Sequence, residues 1–279
     1  MKYMIIPIKT GYFKPDEGYS NLVSAIISCC EDEDIVFISE TPVSTVEGNL
    51  VDESEYDYGL ISYMITELWS KYLWGYILCP LLGYSKRTIT NLRHMPIEAR
   101  NHKEFILNRY GLKHALQPTA EAGVDLSNVP GSYVSLLPEN PNKSACIIKD
   151  LIYDLSGKHV EVVIIDTDPV YKIGNTYFTT LPYSINGILN DTGVIGYFLR
   201  AFSKKIGATP LASSVNMSLD ELIYFANLCE DCQKESSDDF FETVYDMQNS
   251  FDSDVNGVSV DMLSSKCHVP AVILRFKKL

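Results

Sequence analysis

Four consecutive aliphatic residues, 162–165 (VVII), are followed directly by Asp166 and Thr167. An aliphatic run without alternation is typical of a strand buried on both faces, as in the parallel sheets of α/β proteins. Open α/β sheets bind their ligands at the carboxyl ends of the strands. The pattern therefore predicts a central strand that ends by presenting Asp166 and Thr167 at a binding edge.

A second segment, residues 120–128 (AEAGVDLSN), places Asp125 beside the hydroxyl of Ser127 and the amide of Asn128. Carboxylate, hydroxyl and amide oxygens are suitable ligands for a hard divalent cation and the phosphates that accompany it. We predict that the two segments together form the active site. The same residues also suit a second interpretation, in which Asp125 caps a turn and residues 166–167 cap a helix.

Composition limits the classes of function. The 279 residues suit one large domain or two intimately packed subdomains, and we favour the second. A net charge of −13 argues against a nucleic acid or an anionic membrane as partner. No apolar run is long enough to span a bilayer, and the first residues do not suit a signal peptide, so we expect a cytoplasmic protein with reduced cysteines.

The amino-terminal third alternates between strand and helix patterns. Residues 2–8 and 35–39 read as strands, and residues 22–29 read as a helix between them, which favours an α/β fold. Residues 58–114 have helical, aromatic-rich patterns interrupted by proline and glycine, and we predict a helical insertion or lid there.

The second half contains clearer helix boundaries. Asn140 and Pro141 predict a helix start, and Gly157 predicts its end just before the strand that carries Asp166. Ser218 and Glu221 predict a capping box for a helix that runs to about residue 233. Further predictions are an amphipathic helix with an acidic face within residues 230–254 and a final strand over residues 271–276.

Several segments, in this order, resemble the coenzyme F-420-0:L-glutamate ligase family. Residues 122–128 are similar to its Ala-Gly-Ile/Val-Asp-x-Ser-Asn motif, residues 136–145 to its Leu-Leu-Pro-Glu-Asp/Asn-Pro-x-x-Ser-Ala motif, and residues 165–167 to its Ser-Asp-Thr. Near the amino end, residues 6–8 and 34–48 resemble its opening strand and nucleotide-binding turn. The resemblance covers about two thirds of the chain.

The resemblance implies a mixed α/β (α+β) fold of two intimately packed subdomains with mixed sheets, treated as a single ligase-like domain over residues 1–279 with possible subdomains 1–115 and 116–279. It also implies a homodimer. The implied site residues are metal ligands Asp125, Asp166, Thr167 and Gln233, and nucleotide-binding residues Pro7, Ile8, Ser39, Glu40, Thr45 and Asn128. Lys172 is a further candidate, as a substrate-binding cation in place of the family's arginines.

The implied chemistry is ligation. A nucleoside triphosphate, GTP or ATP, phosphorylates an acceptor carboxylate, and the amine of L-glutamate attacks the resulting acyl phosphate. Manganese or magnesium would neutralise the phosphates, and potassium is a further expected cofactor. The acceptor would be the deazaflavin precursor or a related cofactor molecule. No phosphate-binding Gly-x-x-x-x-Gly-Lys-Ser/Thr loop occurs in the sequence.

The sequence also departs from the family. Thr41 and Thr45 stand where the nucleotide turn usually has two lysines, and the segment after Thr167 lacks the family's two arginines. One lysine, Lys172, does not reproduce the bidentate contact of an arginine. Three alternatives therefore stay open, namely a folate or pterin acceptor with the same chemistry, an inactive relative that still binds metal and nucleotide, and a structural protein.

Overall fold

The computed structural model describes residues 2–15, 17–237, 241, 243–254 and 257–277. Its strands are β1 (Tyr3–Thr10), β2 (Ile35–Ser39), β3 (Leu50–Asp52), β4 (Tyr133–Ser135), β5 (Glu161–Ile173), β6 (Thr176–Phe178), β7 (Ile188–Leu189), β8 (Lys204–Ser213) and β9 (His268–Phe276). Its α-helices are α1 (Ser20–Cys29), α2 (Glu40–Val46), α3 (Leu60–Met64), α4 (Cys79–Leu81), α5 (Lys86–Arg93), α6 (Ala99–Tyr110), α7 (Leu112–Ala115), α8 (Pro141–Ser156), α9 (Gly193–Leu199), α10 (Leu219–Ser236), α11 (Val244–Phe251) and α12 (Val260–Ser264). A π-helix, Ile65–Leu78, connects α3 to α4. The predicted mixed α/β class is confirmed.

The chain divides into two compact units that interleave along the sequence. Unit 1 comprises Met1–Val51, Asp125–Pro169 and Ile206–Leu279, and unit 2 comprises Asp52–Val124 and Val170–Lys205. Each unit therefore contains segments that are distant in sequence. The subdomain boundary predicted between residues 115 and 116 does not coincide with this division.

Unit 1 is built on a mixed sheet in the order β1-β9-β2-β5, with β8 also paired to β5. Strands β1 and β2 are antiparallel to β9, whereas β2 is parallel to β5. Residues 35–38 of β2 and 162–166 of β5 are buried, as expected for aliphatic strands at the centre of a sheet. This pairing places the predicted central strand, β5, beside the predicted strand β2.

The main helices of unit 1 begin and end where their caps predict. The Asn140 side chain accepts a hydrogen bond from the backbone N–H of Lys143 at 3.0 Å, and Gly157 ends α8 in the left-handed conformation with φ of 71°. Ser218 and Glu221 form the predicted capping box of α10. Helix α10 contacts β9, and α1 contacts α8.

Unit 2 is mainly helical, which confirms the prediction for residues 58–114. Its α-helices and π-helix surround a core that includes Trp74, Cys79, Leu92 and Tyr197. Strands β6 and β7 pair with each other, and β6 pairs with the last three residues of β5.

Two expectations need qualification. The strand that carries Asp166 was predicted to end there, but β5 continues to Ile173 because β6 supplies a new antiparallel partner after β2 has ended. Within residues 230–254, α11 is shorter than predicted, and residues 238–240 and 242 lie outside the described part. In the described ranges, none of the helices is both long and apolar enough to cross a membrane.

Candidate active site

Two carboxylates meet where the parallel pairing of β2 and β5 stops. The last paired residues are Ser39 and Ile165, so the next residues along the two strands are Glu40 and Asp166. At this point β2 gives way to helix α2, whereas β5 continues. Glu40 and Asp166 are 126 positions apart in sequence, and only 6% and 4% of their surfaces are exposed.

Asp125 reaches the same region from the segment before β4. Its backbone exchanges two hydrogen bonds with Ser135, at 3.0 and 2.8 Å. Its carboxylate accepts one hydrogen bond from the backbone N–H of Ser127 at 2.8 Å and a second from the Ser127 hydroxyl at 2.7 Å. The turn-capping interpretation of Asp125 therefore describes how its side chain is oriented, and it is compatible with a ligand-binding role.

Burial and mutual repulsion disfavour the charged forms of these carboxyl groups. Desolvation, opposed by the hydrogen bond from Thr41 and reinforced by the charges of Asp125 and Asp168, raises the pKa of Glu40 to about 8. Desolvation followed by the charges of Glu40, Asp168 and Asp125 raises the pKa of Asp166 well above its ordinary value. The charges of Asp125 and Asp168 therefore reach both Glu40 and Asp166.

Asp125 follows the same trend more weakly. Desolvation raises the pKa of its carboxyl group to about 6, and the hydrogen bonds from Ser127 oppose the rise. None of the main causes of these three pKa shifts is a basic side chain. The site thus concentrates carboxyl groups whose charged forms the fold disfavours.

One oxygen of this site has no partner in the described structure. Glu40 Oε1 accepts a hydrogen bond from the Thr41 hydroxyl at 2.6 Å, but the buried Oε2 has no hydrogen-bond donor among the described residues. A buried carboxylate oxygen without a donor is costly unless a ligand or a proton satisfies it. These all-oxygen donors suit a hard cation, although no three His, Cys, Asp or Glu side chains of the described ranges are arranged to enclose one ion.

The predicted nucleotide-binding and metal-binding residues of unit 1 are partly brought together. The Gln233 amide nitrogen donates to Ser39 Oγ at 2.9 Å and to the Val269 carbonyl at 3.1 Å, so Oε1 is the amide atom with lone pairs for a ligand. Pro7 and Ile8 lie in β1, opposite residues of β9. Gln233 is therefore bonded to β9, and β9 is paired with β1, the strand that carries Pro7 and Ile8.

Other predicted residues are placed differently. Thr167 is exposed, whereas the preceding Asp166 is buried. Thr45 is buried, and its hydroxyl donates to the Thr41 carbonyl at 2.8 Å. Lys172 belongs to unit 2, where its ammonium group donates to the Tyr177 hydroxyl at 2.7 Å.

Asn128 has an unusual backbone. Its φ of 59° is left-handed, a conformation that asparagine tolerates better than most residues. Its side-chain nitrogen donates to Ser127 Oγ at 3.1 Å. The chain leading into this turn also holds Ala120 and Ala122 at φ of 57°, which is unfavourable for alanine. Backbone strain of this kind is concentrated at functional sites in many proteins.

Sequence reasoning missed one contributor to the site and the orienting role of another. Asp168 donates its backbone N–H to Asp166 Oδ1 at 2.6 Å and adds negative charge near Glu40. Ser127 orients Asp125 through both carboxylate oxygens. The signal for both is the same, since each lies two residues after an aspartate and such spacing is typical of an Asx turn.

Comparison with known proteins identifies relatives of this chain. The family model described as F420-0:Gamma-glutamyl ligase matches residues 7–236. An uncharacterized protein of Methanocaldococcus jannaschii is 38% identical over 98% of this chain and 96% of its own length. The coenzyme F420:L-glutamate ligase of the same organism is 27% identical over 81% of this chain and 82% of its own length. The corresponding ligase of Methanopyrus kandleri is 31% identical over 55% of each chain.

Proposed function

Because the chain belongs to the F420-0:gamma-glutamyl ligase family, we propose that it is a nucleotide- and divalent-cation-dependent ligase that forms a γ-glutamyl type amide bond between L-glutamate and a carboxylate of a cofactor molecule. The proposed acceptor is F-420-0 or a related molecule. The observation that carries the proposal is the cluster of buried, mutually repelling carboxylates Glu40, Asp125 and Asp166. A site of this kind is stabilised by a cation that accompanies an anionic substrate.

The residues present fit a manganese or magnesium ion. We propose Asp125 and Asp166 as its principal ligands, with Thr167 and the Gln233 amide oxygen as further oxygen donors. Magnesium in nucleotide sites commonly takes one or two carboxylates and completes its coordination with phosphate and water, so a third protein carboxylate is not required. When bound, the cation supplies neutralisation of the charge on the transferring phosphoryl group.

The proposed reaction has two steps. An oxygen of the acceptor carboxylate attacks the terminal phosphorus of GTP or ATP, which forms an acyl phosphate and releases the nucleoside diphosphate. The amine of L-glutamate then attacks the acyl carbon, the amide bond forms, and inorganic phosphate leaves. The described side chains bind and orient the reactants, with Asn128, Ser39, Glu40, Thr45, Pro7 and Ile8 proposed for the nucleotide and Lys172 for an anionic substrate.

The chain differs from the family pattern at the nucleotide turn in a way that limits how phosphates are bound. Thr41 and Thr45 replace the usual lysines, and both threonine hydroxyls have internal hydrogen-bond partners. The backbone of these residues and the cation would therefore contribute more to phosphate binding than their side chains do.

The test is a direct assay of product mass. The purified protein is incubated with L-glutamate, manganese, magnesium and either ATP or GTP, with and without potassium, and F-420-0 or a folate is offered separately. We expect the mass of the F-420-0 acceptor to increase by one glutamyl unit. The variant Asp166→Asn should abolish this gain, while Asp150→Asn, which removes an exposed carboxylate from α8, should leave it unchanged.

Other results would change the assignment. A gain on folate alone would identify a pterin-type acceptor with the same chemistry. No gain on either acceptor, despite a manganese-dependent thermal shift with nucleotide, would contradict the proposed ligation and favour a binding protein.

We also propose that the protein forms a homodimer. The helical segment of unit 2 exposes large apolar side chains, which is unusual for a surface without a partner. Leu60, Leu68, Tyr72 and Leu81 are among them. Light scattering at several concentrations measures the mass, and Leu68→Glu should shift a dimer towards monomer.

A further inference from the structure

Arg200 follows helix α9 in unit 2 and is surrounded by tyrosines. Its Nε donates to the Tyr84 hydroxyl at 3.3 Å, and that hydroxyl donates in turn to the Tyr197 carbonyl at 2.6 Å. The guanidinium carbon lies 3.4 Å from the centre of the Tyr197 ring and 4.9 Å from that of Tyr84. One face and one nitrogen of the guanidinium group are thus held by the protein.

The tyrosines are themselves fixed in place. The rings of Tyr84 and Tyr197 stack with an angle of 15° between their planes and 5.6 Å between their centres. Trp74 packs edge-on against Tyr197, with 5.0 Å between ring centres. Because Tyr197 and Trp74 are almost completely buried, Arg200 rests on a rigid support and its side chain is preorganised.

Arg200 has no acidic partner within the described residues. Nη1 and Nη2 have no hydrogen-bond acceptor there, whereas Arg100 pairs with Glu67 and Arg275 pairs with Asp34. Burial keeps the pKa of Tyr197 above its ordinary value, so its phenol supplies no negative charge at neutral pH. Arg200 is thus a partly buried arginine whose guanidinium edge faces no acidic group among the described residues.

We propose that the Nη1 and Nη2 edge of Arg200 binds an oxyanion of a small-molecule ligand, either a carboxylate or a phosphate. The planar guanidinium group presents two parallel N–H donors that match both of these groups. The tyrosine support holds this edge in one orientation, so little rotamer entropy is lost when the ligand binds.

The experiment measures binding by calorimetry on the full chain without divalent cation or nucleotide. L-Glutamate is the carboxylate probe, and inorganic phosphate is the phosphate probe. We expect saturable binding of at least one probe, weakened roughly ten- to a hundredfold in Arg200→Gln, as expected for loss of a charged hydrogen-bonded contact. Arg200→Lys keeps the charge but not the fork and should bind with intermediate affinity.

The matched control is Arg109→Gln. Arg109 also lies over a tyrosine ring, that of Tyr110 at 5.9 Å, but it is exposed. Its removal should leave the affinity unchanged. Circular dichroism verifies that each variant is folded, and if Arg200→Gln does not fold, the Arg200→Lys comparison decides.

The identity of the bound probe distinguishes the two sources of the oxyanion. Absence of saturable binding of both probes, or equal affinity in the wild type and the folded Arg200 variants, would overturn the proposal. Its readout is binding and not turnover, so this result is independent of whether the ligase assay succeeds.

Discussion

Two groups of buried charges, one in each unit, differ in how their charge is balanced. The carboxylate cluster of unit 1 contains Glu40, Asp125 and Asp166, all acidic. The ion network of unit 2 contains Glu53, His102, Lys103 and Glu121, in which acidic and basic groups alternate. Both groups are buried. They differ in their neighbours, because acidic groups surround one another in unit 1 and are paired with basic groups in unit 2.

The ion network pairs its charged groups with one another. Lys103 is fully buried, and its three ammonium donors bond to the Ala115 carbonyl, the Gln117 carbonyl and Glu121 Oε1. His102 Nδ1 bonds to Glu53. Despite desolvation, which alone would raise it, the pKa of Glu121 falls to about 2 because of Lys103 and His102.

The pKa values in the carboxylate cluster shift in the opposite direction. The pKa of Glu40 rises to about 8, and that of Asp166 rises well above its ordinary value. A buried charge that is paired within the protein contributes to its structure, whereas a buried charge of one sign is stable only with a proton or a ligand from outside. The comparison therefore separates a structural network from a candidate binding site.

The largest expected effect is from breaking the ion network. Lys103→Met should lower the free energy of unfolding by about 3–5 kcal/mol, because Glu121 is left as an uncompensated buried charge. Urea denaturation at pH 7 measures this change. The control Lys71→Met removes the partly exposed Lys71–Glu67 pair and should cost at most about 1 kcal/mol. Equal costs for the two variants would contradict the structural role of the network.

The second-largest expected effect is stabilisation of the protein by bound ligands. Manganese with nucleotide at about one hundred times the dissociation constant should stabilise the wild type by about 2.7 kcal/mol. Chelation should reverse the gain, and Asp166→Asn should abolish it. Thermal unfolding with and without the ligands measures the shift. If Lys103→Arg lost the gain as completely as Asp166→Asn while remaining folded, the assignment of ligand binding to the carboxylate cluster would be wrong.

Replacing a glutamate by glutamine should change the free energy of unfolding in opposite directions in the two groups. In the absence of cations, native Glu40 holds its proton up to a higher pH than unfolded Glu40 does, so stability falls as pH rises from about 4.5 through about 8. At pH 8, Glu40→Gln should therefore raise the free energy of unfolding by about 1–2 kcal/mol. Glu121→Gln should lower it. Chemical denaturation measures both, and a shared sign would contradict the comparison.

The smallest expected effect is a pH dependence of the ion network. Although desolvation opposes it, the charges of Glu53 and Glu121 raise the pKa of His102 to about 10. The stabilisation from this raised pKa is fully present below about pH 6.5 and is lost as pH rises through about 10. The difference in unfolding free energy between wild type and His102→Gln should therefore narrow by about 1 kcal/mol between pH 7 and pH 10. Urea titrations at both pH values test this, and a constant difference would argue that His102 is neutral.

Local signals explain why much of the fold could be predicted. Strand β2 has the predicted bounds because its aliphatic run is flanked by polar residues, and α8 and α10 begin at their capping side chains. Asp125 and Asp166 were found because carboxylates after apolar segments are recognisable in sequence. The roles of these residues as ligands stay predictions.

Other features depend on contacts between distant residues. No sequence signal marks Lys103 as a buried residue, and only packing places it against Glu121. Arg200 carries no motif, and its unpaired edge depends on tyrosines from separate segments.

The sequence by itself therefore determined several strands and helices, the caps of α8 and α10 and the chemical types of the site residues, because these depend on side chains only a few positions apart. The tertiary structure decided that Glu40 adjoins Asp166, that β5 continues beyond Asp166, and which buried charges are paired. These outcomes depend on strand register and packing, which bring together groups that the chain separates by tens to more than a hundred residues.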